Sequence, residues 1–289
     1  MGAVLRDAYV RPHPRATDGP LVTVVIAAYN RATVLRHALA SVLRQDYRHI
    51  EVLVVGDACT DESEEVARAA GDERVRWFNL EENTGSQAGP NQAALELARG
   101  ELIAYLGQDD LWRPDHLAVL VADLERRGAD ATTSTVSIVY PGRVPVRRLL
   151  SPAAGSFNPT STLMHTRAAG LAAGGWRPDY RNSILPPDED FYARLRESGA
   201  RFSRVRALTV IKFTSVLRPG SYRDRSDREQ ACARARLYSR GCVAREVAAA
   251  AGLAPLRPWF GRGPRLPADA RERPGALMAE FRRIRGLEP

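Results

Sequence analysis

Two adjacent carboxylates, Asp109 and Asp110, close the segment 101–115, ELIAYLGQDDLWRPD. Residues 102–106 are a short apolar, β-prone run of the kind that forms a buried strand, and Gly107 ends it. Pro114 suits the first turn of a following helix. The pair is therefore expected just past the carboxyl end of a strand, where open α/β sheets bind their ligands. Two hard oxygen ligands side by side suit Mg2+ or Mn2+, held by few protein groups and shared with substrate phosphates. A turn or a helix cap is the commoner use of an Asp-Asp pair, so its neighbours decide its meaning.

Two more strand ends carry polar groups. Residues 21–28, LVTVVIAA, read as a strand buried on both faces, and Tyr29-Asn30-Arg31 follows it. Residues 50–55, IEVLVV, read as a second, broken by Gly56-Asp57-Ala58-Cys59-Thr60-Asp61. Between these runs the spacing predicts helices. The first carries Val34, Leu35, Ala38, Leu39, Val42 and Leu43 on one face. A second runs to about residue 70 with Thr60 as its cap, a third covers 87–98, and a fourth runs to about 127. A strand over 74–80 and a turn at Asn83-Thr84-Gly85-Ser86 complete the set. This alternation predicts an α/β fold with a mainly parallel sheet flanked by helices, its polar strand ends gathered at one crevice. GxGxxG does not follow the first strand, and GxxxxGK[ST] does not occur, so neither a dinucleotide fingerprint nor a P-loop is present.

These residues resemble a known family. VTVVIAAYNR, EVLVVGDACTDES and EENTGSQAGPNQAALELARGELIAYLGQDDLWRPDHL, over about residues 20–127, are similar to the nucleotide-sugar half of family-2 glycosyltransferases of the GT-A fold. Where that family commonly has Asp-Asp-Gly-Ser-Thr-Asp, this chain has Gly56-Asp57-Ala58-Cys59-Thr60-Asp61, so the first acid is lost and the second retained. The resemblance implies that Asp57 contacts the nucleobase, with Tyr29 as a stacking partner. It implies that Asp109 and Asp110 form the DXD-type motif, Asp110 ligating Mn2+ or Mg2+ and Asp109 facing the sugar nucleotide. Ala27, Arg31, Gly85 and Asn91 would join them in lining the donor pocket. The donor would be a UDP-, GDP- or TDP-sugar, the acceptor a hydroxyl, and the transfer inverting. A sugar nucleotidyltransferase and a catalytically silent nucleotide-sugar-binding module are the alternatives. The nucleotidyltransferase would want a Gly- and Lys/Arg-rich loop after the first strand, and AAYNRATV is not one.

Beyond residue 129 the pattern gives a strand over 130–139, a turn at Pro141-Gly142, a loop over 151–156 and a strand over 203–213. Asp188, Glu189 and Asp190 follow Pro186-Pro187 and open a helix containing Arg194-Leu195. Capping and the helix dipole account for such a trio by themselves. The resemblance makes Asp188 the catalytic base, with Asp190 one register away. A long helix is expected over 226–251 and a short one over 276–284. The organisation that follows is a loose arm (1–19), a nucleotide-sugar half (20–127), an acceptor half (128–215) and a basic helical extension (216–289). His37, His49 and His116 read as surface residues, His165 as packed or solvated.

The net charge of +8 is unevenly placed: residues 1–200 carry 22 basic and 26 acidic groups, residues 201–289 carry 20 and 8. A solvated Arg-rich face is the plainest account of the basic part. Peripheral contact with an anionic membrane surface is the functional alternative. No zinc finger, RNP motif or interleaved aromatic platform accompanies it, so nucleic acid is not an expected partner. Three cysteines without CxxC spacing, and a beginning without an apolar signal region, predict a reduced, cytoplasmic setting, at most peripheral to the inner face of the membrane.

Overall fold

The continuous apolar runs become strands because both of their faces are covered. A computed structural model describes residues 19–141, 147–150, 159–179, 183–215, 218–239, 241–252 and 272–287. The expected arm (except Gly19), Gly142 of the expected turn and the loop at 151–156 lie outside the described residues.

Strand β1 (Val22–Ala28) pairs in parallel with β2 (Ile50–Gly56), from Val22 opposite Ile50 to Ala28 opposite Gly56. Strand β3 (Val75–Asn79) continues the sheet beyond β2, and β4 (Leu102–Gly107) lies on the other side of β1, both parallel. The order β3-β2-β1-β4 reverses its direction of winding at β1, which opens a crevice at the carboxyl ends of β1 and β4.

Helices α1 (Ala32–Leu43) and α4 (His116–Arg127) cover one face of this sheet. Leu35, Leu39, Leu117 and Leu120 pack there on Val24, Ile26, Val52 and Val54. Helices α3 (Ala88–Leu97) and α6 (Pro187–Glu197) cover the other, where Leu95, Phe191 and Leu195 meet Val25, Leu53, Val55 and Ile103. Successive residues of β1 and β2 thus enter two different cores, and each fully buried aliphatic side chain contributes roughly 1.5–3 kcal/mol.

Past β4 the sheet is mixed rather than mainly parallel. Strands β5 (Leu111–Trp112), β6 (Ala131–Val139), β7 (Arg147–Leu150), β8 (Leu163–Thr166) and β9 (Phe202–Phe213) join the first four. The order continues β4-β8-β6-β9-β5, with β7 on β6. Only β6 and β9 pair in parallel there. Antiparallel neighbours need no helical crossover. Strand β8, the third of the expected acceptor half, pairs antiparallel with β4.

Several local expectations change. Asp61, not Thr60, holds the start of α2 (Ser63–Arg68): its Oδ1 accepts from Ser63 N at 3.2 Å and Ser63 Oγ at 2.6 Å. The Thr60 amide is taken by Asn30 Oδ1 at 2.8 Å. The long helix is two, α7 (Arg228–Leu237) and α8 (Cys242–Gly252), because Gly241 lies in the left-handed region at φ 75°. A 3-10 turn (Thr160–Thr162) and short helices α5 (Arg167–Ala172) and α9 (Ala276–Arg285) complete the described elements.

His37 and His116 are buried rather than at the surface. His37 Nε2 lies 2.6 Å from Asp227 of the segment before α7. His116 stacks on Trp112 with ring centroids 4.2 Å apart and meets Thr209 Oγ1 at 2.7 Å. His165 is packed, its Nε2 3.0 Å from the Tyr105 hydroxyl. Burial pushes His116 down to about 3 and His165 down to about 4, so both rings are neutral and structural.

Candidate active site

A cavity of about 340 Å³ opens at the carboxyl ends of β1, β2 and β4, the size of a small-molecule site. Ala27 and Tyr29 enter it from β1, Asp57 from β2, and Gln108 and Asp109 from β4. Gln108 ties the first and last of these together. The Tyr29 amide donates to its Oε1 at 2.9 Å, and its Nε2 donates to the Tyr222 hydroxyl at 3.2 Å. The Tyr29 and Tyr222 rings stand 6.1 Å apart.

Asp57 is buried at the rim of β2, where it organises the turn over 83–85. Its Oδ1 accepts from the Thr84 amide and hydroxyl, each at 2.8 Å. Its Oδ2 accepts from Asn83 Nδ2 at 3.1 Å and the Gly85 amide at 3.2 Å. Burial raises its pKa, with these bonds and the nearby Arg282 opposing. Gly85 sits at φ 83°, a conformation for which a glycine is needed, and lines the cavity. Asn91 is buried within α3 and does not reach the cavity; Pro90 of the same helix does.

The two adjacent aspartates part company. Asp109 lines the cavity, with Oδ2 2.9 Å from Arg31 Nη1, and the Arg31 guanidinium lies over the Tyr222 ring at 5.3 Å. Asp110 is fully buried behind it. Its amide donates to Gly107 O at 2.9 Å, a tight turn that sends successive side chains to opposite sides. Its Oδ1 accepts from the Phe213 amide at 2.9 Å, and its Oδ2 from Lys212 Nζ at 2.9 Å and Ser161 Oγ at 2.5 Å. Lys212 is the only lysine in the chain, and it lines the cavity. Burial works against its charge, but Asp110, Asp109 and Asp188 together outweigh it and lift its pKa above the ordinary value.

Asp188 also lines the cavity, at the start of α6. Pro186 and Pro187 fix the entry to this helix, and no side chain caps it. Burial raises the Asp188 pKa against the attraction of Lys212. Asp190 points elsewhere: Arg194 reaches its Oδ2 through Nη2 at 2.7 Å and Nε at 3.0 Å, while Arg194 Nη1 binds the carbonyls of Ala173 and Gly175. The Asp190 carboxylate thus fastens α6 to the turn after α5.

The cavity gathers carboxylates from two strand ends and one helix start around a small-molecule-sized space, and known proteins share this fold. A family profile described as Glycosyl transferase family 2 matches residues 23–174. The chain belongs to this family. The succinoglycan biosynthesis protein ExoO of Rhizobium meliloti (strain 1021) is 37% identical over 128 residues, 44% of this chain and 36% of that protein. The chain covers little more than a third of such a relative. Among solved structures, S. aureus TarS 1-349 in complex with UDP-GlcNAc superposes with a TM-score of 0.59 at 17% identity, over 91% of this chain and 81% of the other. The mannosyltransferase PcManGT from Pyrobaculum calidifontis, in complex with GDP-Man and Mn2+, gives 0.56 at 18%, over 99% and 94%. At such identities the likeness carries the fold, which is the α/β GT-A arrangement.

In this family-2 member the sequence pattern brings Ala27, Tyr29, Asp57, Gly85, Asp109 and Asp188 to one cavity. Arg31 stands behind Asp109, while Asn91, Asp110 and Asp190 lie off the cavity. A divalent cation fits at Asp109, whose Oδ1 is not taken by Arg31, and not at Asp110, whose two oxygens already accept from three donors. Among the described residues no three His, Cys, Asp or Glu side chains form a metal-holding group. A cation here would therefore lean on substrate phosphates, as Mg2+ commonly does. Sequence reasoning passed over Gln108, Tyr222, Arg282 and Arg285. Lys212 was passed over as well, although its being the only lysine of the chain was an available signal.

Proposed function

We propose that the chain transfers a sugar from a nucleoside-diphosphate sugar, a UDP-, GDP- or TDP-sugar, to an acceptor hydroxyl with inversion at the anomeric carbon. The observation that carries this reading is the placing of Asp57, Asp109 and Asp188 on one cavity at the strand ends of a family-2 fold. The known binding of UDP-GlcNAc by TarS and of GDP-Man by PcManGT supports the donor class.

Asp57, with the turn it holds, meets the base, and Tyr29 offers a ring to it. Asp109 faces the sugar-phosphate part of the donor. Mn2+ or Mg2+, held by Asp109 and the donor's own phosphates, would offset charge on the departing diphosphate. Asp188 takes the proton from the acceptor hydroxyl as the new bond from that oxygen to the anomeric carbon forms. The bond from the anomeric carbon to the diphosphate oxygen breaks, and its electron pair leaves with the nucleoside diphosphate. Burial gives Asp188 a raised pKa, which suits a general base better than a free carboxylate near ~3.9. Asp110, Lys212 and Ser161 form the floor that fixes the turn carrying Asp109.

Titration of the full chain with UDP-, GDP- and TDP-sugars, with and without Mn2+, tests the reading, with release of nucleoside diphosphate on adding acceptors as its second arm. Tight binding of one donor and its acceptor-dependent turnover are expected. Binding that never leads to turnover would favour a silent module, and no binding at all would end the reading.

A further inference from the structure

Helix α9 lies outside residues 23–174 of the family match, yet it forms one wall of the cavity through Met278, Phe281, Arg282 and Arg285. It is seated at both ends. The Gly275 amide donates to Ser183 O at 2.7 Å, the Gly220 amide to Ile284 O at 2.8 Å, and the Tyr222 amide to Arg285 O at 3.1 Å. Leu277, Met278 and Ile284 are buried beneath it.

Arg282 and Arg285 are three residues apart, hence on one face of the helix. They bear on two different carboxylates of the cavity, Asp57 and Asp188. Arg282 Nη1 donates to Gly85 O at 2.8 Å, and its charge is felt by Asp57. Arg285 is felt by Asp188, and its buried Nε finds no hydrogen-bond partner among the described residues. Under the reading above, Asp57 marks the base and Asp188 the acceptor. Between the base and the reacting anomeric carbon of a nucleotide sugar lie the ribose and the diphosphate, and of these only the diphosphate is anionic.

The remaining charges make this position hard to fill without the helix. Asp57, Asp109, Asp188 and Glu189 all line the cavity and would repel a dianion. The Lys212 ammonium is held on Asp110, and the Arg31 guanidinium on Asp109. Guanidinium groups offer planar, paired N–H donors that match phosphate oxygens, and a buried unpaired Nε–H is a donor awaiting an acceptor.

We infer that Arg282 and Arg285 of α9 form the diphosphate-binding wall of the donor site, so that the C-terminal helix holds the donor together with the strand ends. This rests on the nucleotide-sugar reading. It also gives two arginines of the basic extension a task inside the cavity.

The test compares affinities of the full chain for UDP, GDP and TDP, and for the monophosphate and nucleoside of whichever binds tightest. Arg282→Gln, Arg285→Gln and the corresponding Lys variants are measured beside the parent, with melting curves for each. In both Gln variants the diphosphate is expected to lose tenfold or more in affinity while the nucleoside changes less than twofold, and Lys should restore part of the loss. Arg285→Gln removes an Nε that bonds nothing among the described residues, so it carries the test even if Arg282→Gln loosens the helix. Diphosphate affinity within twofold of the parent in Arg285→Gln overturns the inference. So does an equal loss for nucleoside and diphosphate, which would mean a displaced wall and no phosphate contact. If the parent binds none of the three diphosphates, it is the donor reading itself that fails.

Discussion

A base that accepts a proton must be ionised before the reaction and basic enough during it. In the proposed reading Asp188 is that base: burial at the cavity edge raises its pKa, and the attraction of Lys212 favours its charged form. Asp188→Asn should lower turnover by about 10²–10⁴-fold with donor affinity nearly unchanged, measured in a single-turnover assay. Because its folded pKa is raised, the acid limb of the kcat/KM profile should lie above that of a free aspartate, with activity lost as pH falls through it. The sign for stability is opposite. A raised carboxyl pKa favours the fold at low pH, and that gain disappears as pH rises through the folded value. Asp188→Asn should therefore melt higher than the parent at neutral pH, as expected of any carboxylate whose pKa burial raises, so the catalytic role is read from turnover and its pH profile and not from melting. Asp190→Asn should do the reverse, keeping turnover chemistry while melting lower, because it breaks the pair with Arg194. If Asp190→Asn is the inactive variant, the base assignment is off by two residues. Lys212 poses a different question, since its removal leaves Asp110 buried without its countercharge. Lys212→Met should cost about 3–5 kcal/mol in denaturant midpoints at unchanged m-value. A loss below 1 kcal/mol would mean that Ser161 and the Phe213 amide suffice to hold Asp110. The contrast between Asp109 and Asp110 was not legible in the sequence. Two neighbours of one type differ only through the turn that parts them, and the turn is fixed by Ser161, Lys212 and Phe213, residues 51 to 103 positions downstream of Asp110.

At the scale of elements, the strand ends are useful because each is fastened by its neighbour's side chains. Asp57 belongs to β2, yet it holds the turn before α3 with four hydrogen bonds. A base can reach Asp57 only by sharing oxygens with that turn. Asp57→Ala should cost about 1.5–3 kcal/mol in nucleoside-diphosphate affinity, the scale of a charge-assisted hydrogen bond, and should also lower the melting temperature. Thr84→Val removes one donor to Asp57 and leaves its carboxylate in place. If Thr84→Val loses as much affinity as Asp57→Ala, Asp57 acts through the turn alone; a loss confined to Asp57→Ala supports direct contact with the base. The elements themselves were largely readable. Runs such as 21–28 and 50–55 are apolar apart from Thr23 and Glu51, which bond to each other at 2.6 Å, because two cores demand it, and that pattern survives without any knowledge of the fold. Pairing direction beyond β4 was not readable, since β6, β8 and β9 choose partners far along the chain. Nor were the buried histidines: His116 is polar by composition, and only the facing Trp112 and Thr209 make its burial tolerable.

Across the whole molecule, charge is sorted by direction as well as by position in the chain. Residues 201–289 carry 20 basic and 8 acidic groups, and Arg282 and Arg285 among them face the cavity. Arg225, Arg228 and Arg236 face outward on and before α7. No helix among the described residues is long and apolar enough to cross a membrane, so an anionic surface would be met through such outward charges. Sedimentation with anionic vesicles should then fall steeply with salt, as the Debye length shrinks from ~10 Å at 0.1 M to ~3 Å at 1 M. Replacing Arg225, Arg228 and Arg236 together by Glu should abolish sedimentation and leave nucleoside-diphosphate affinity untouched. Arg285→Gln should do the opposite, since its charge is enclosed. Vesicle binding that is absent even at low salt would reduce the outward arginines to a solvated face. Vesicle binding that vanishes in Arg285→Gln but survives the triple Glu variant would mean that α9 leaves its seat to meet the surface, and the separation of inward and outward charge would have to be given up.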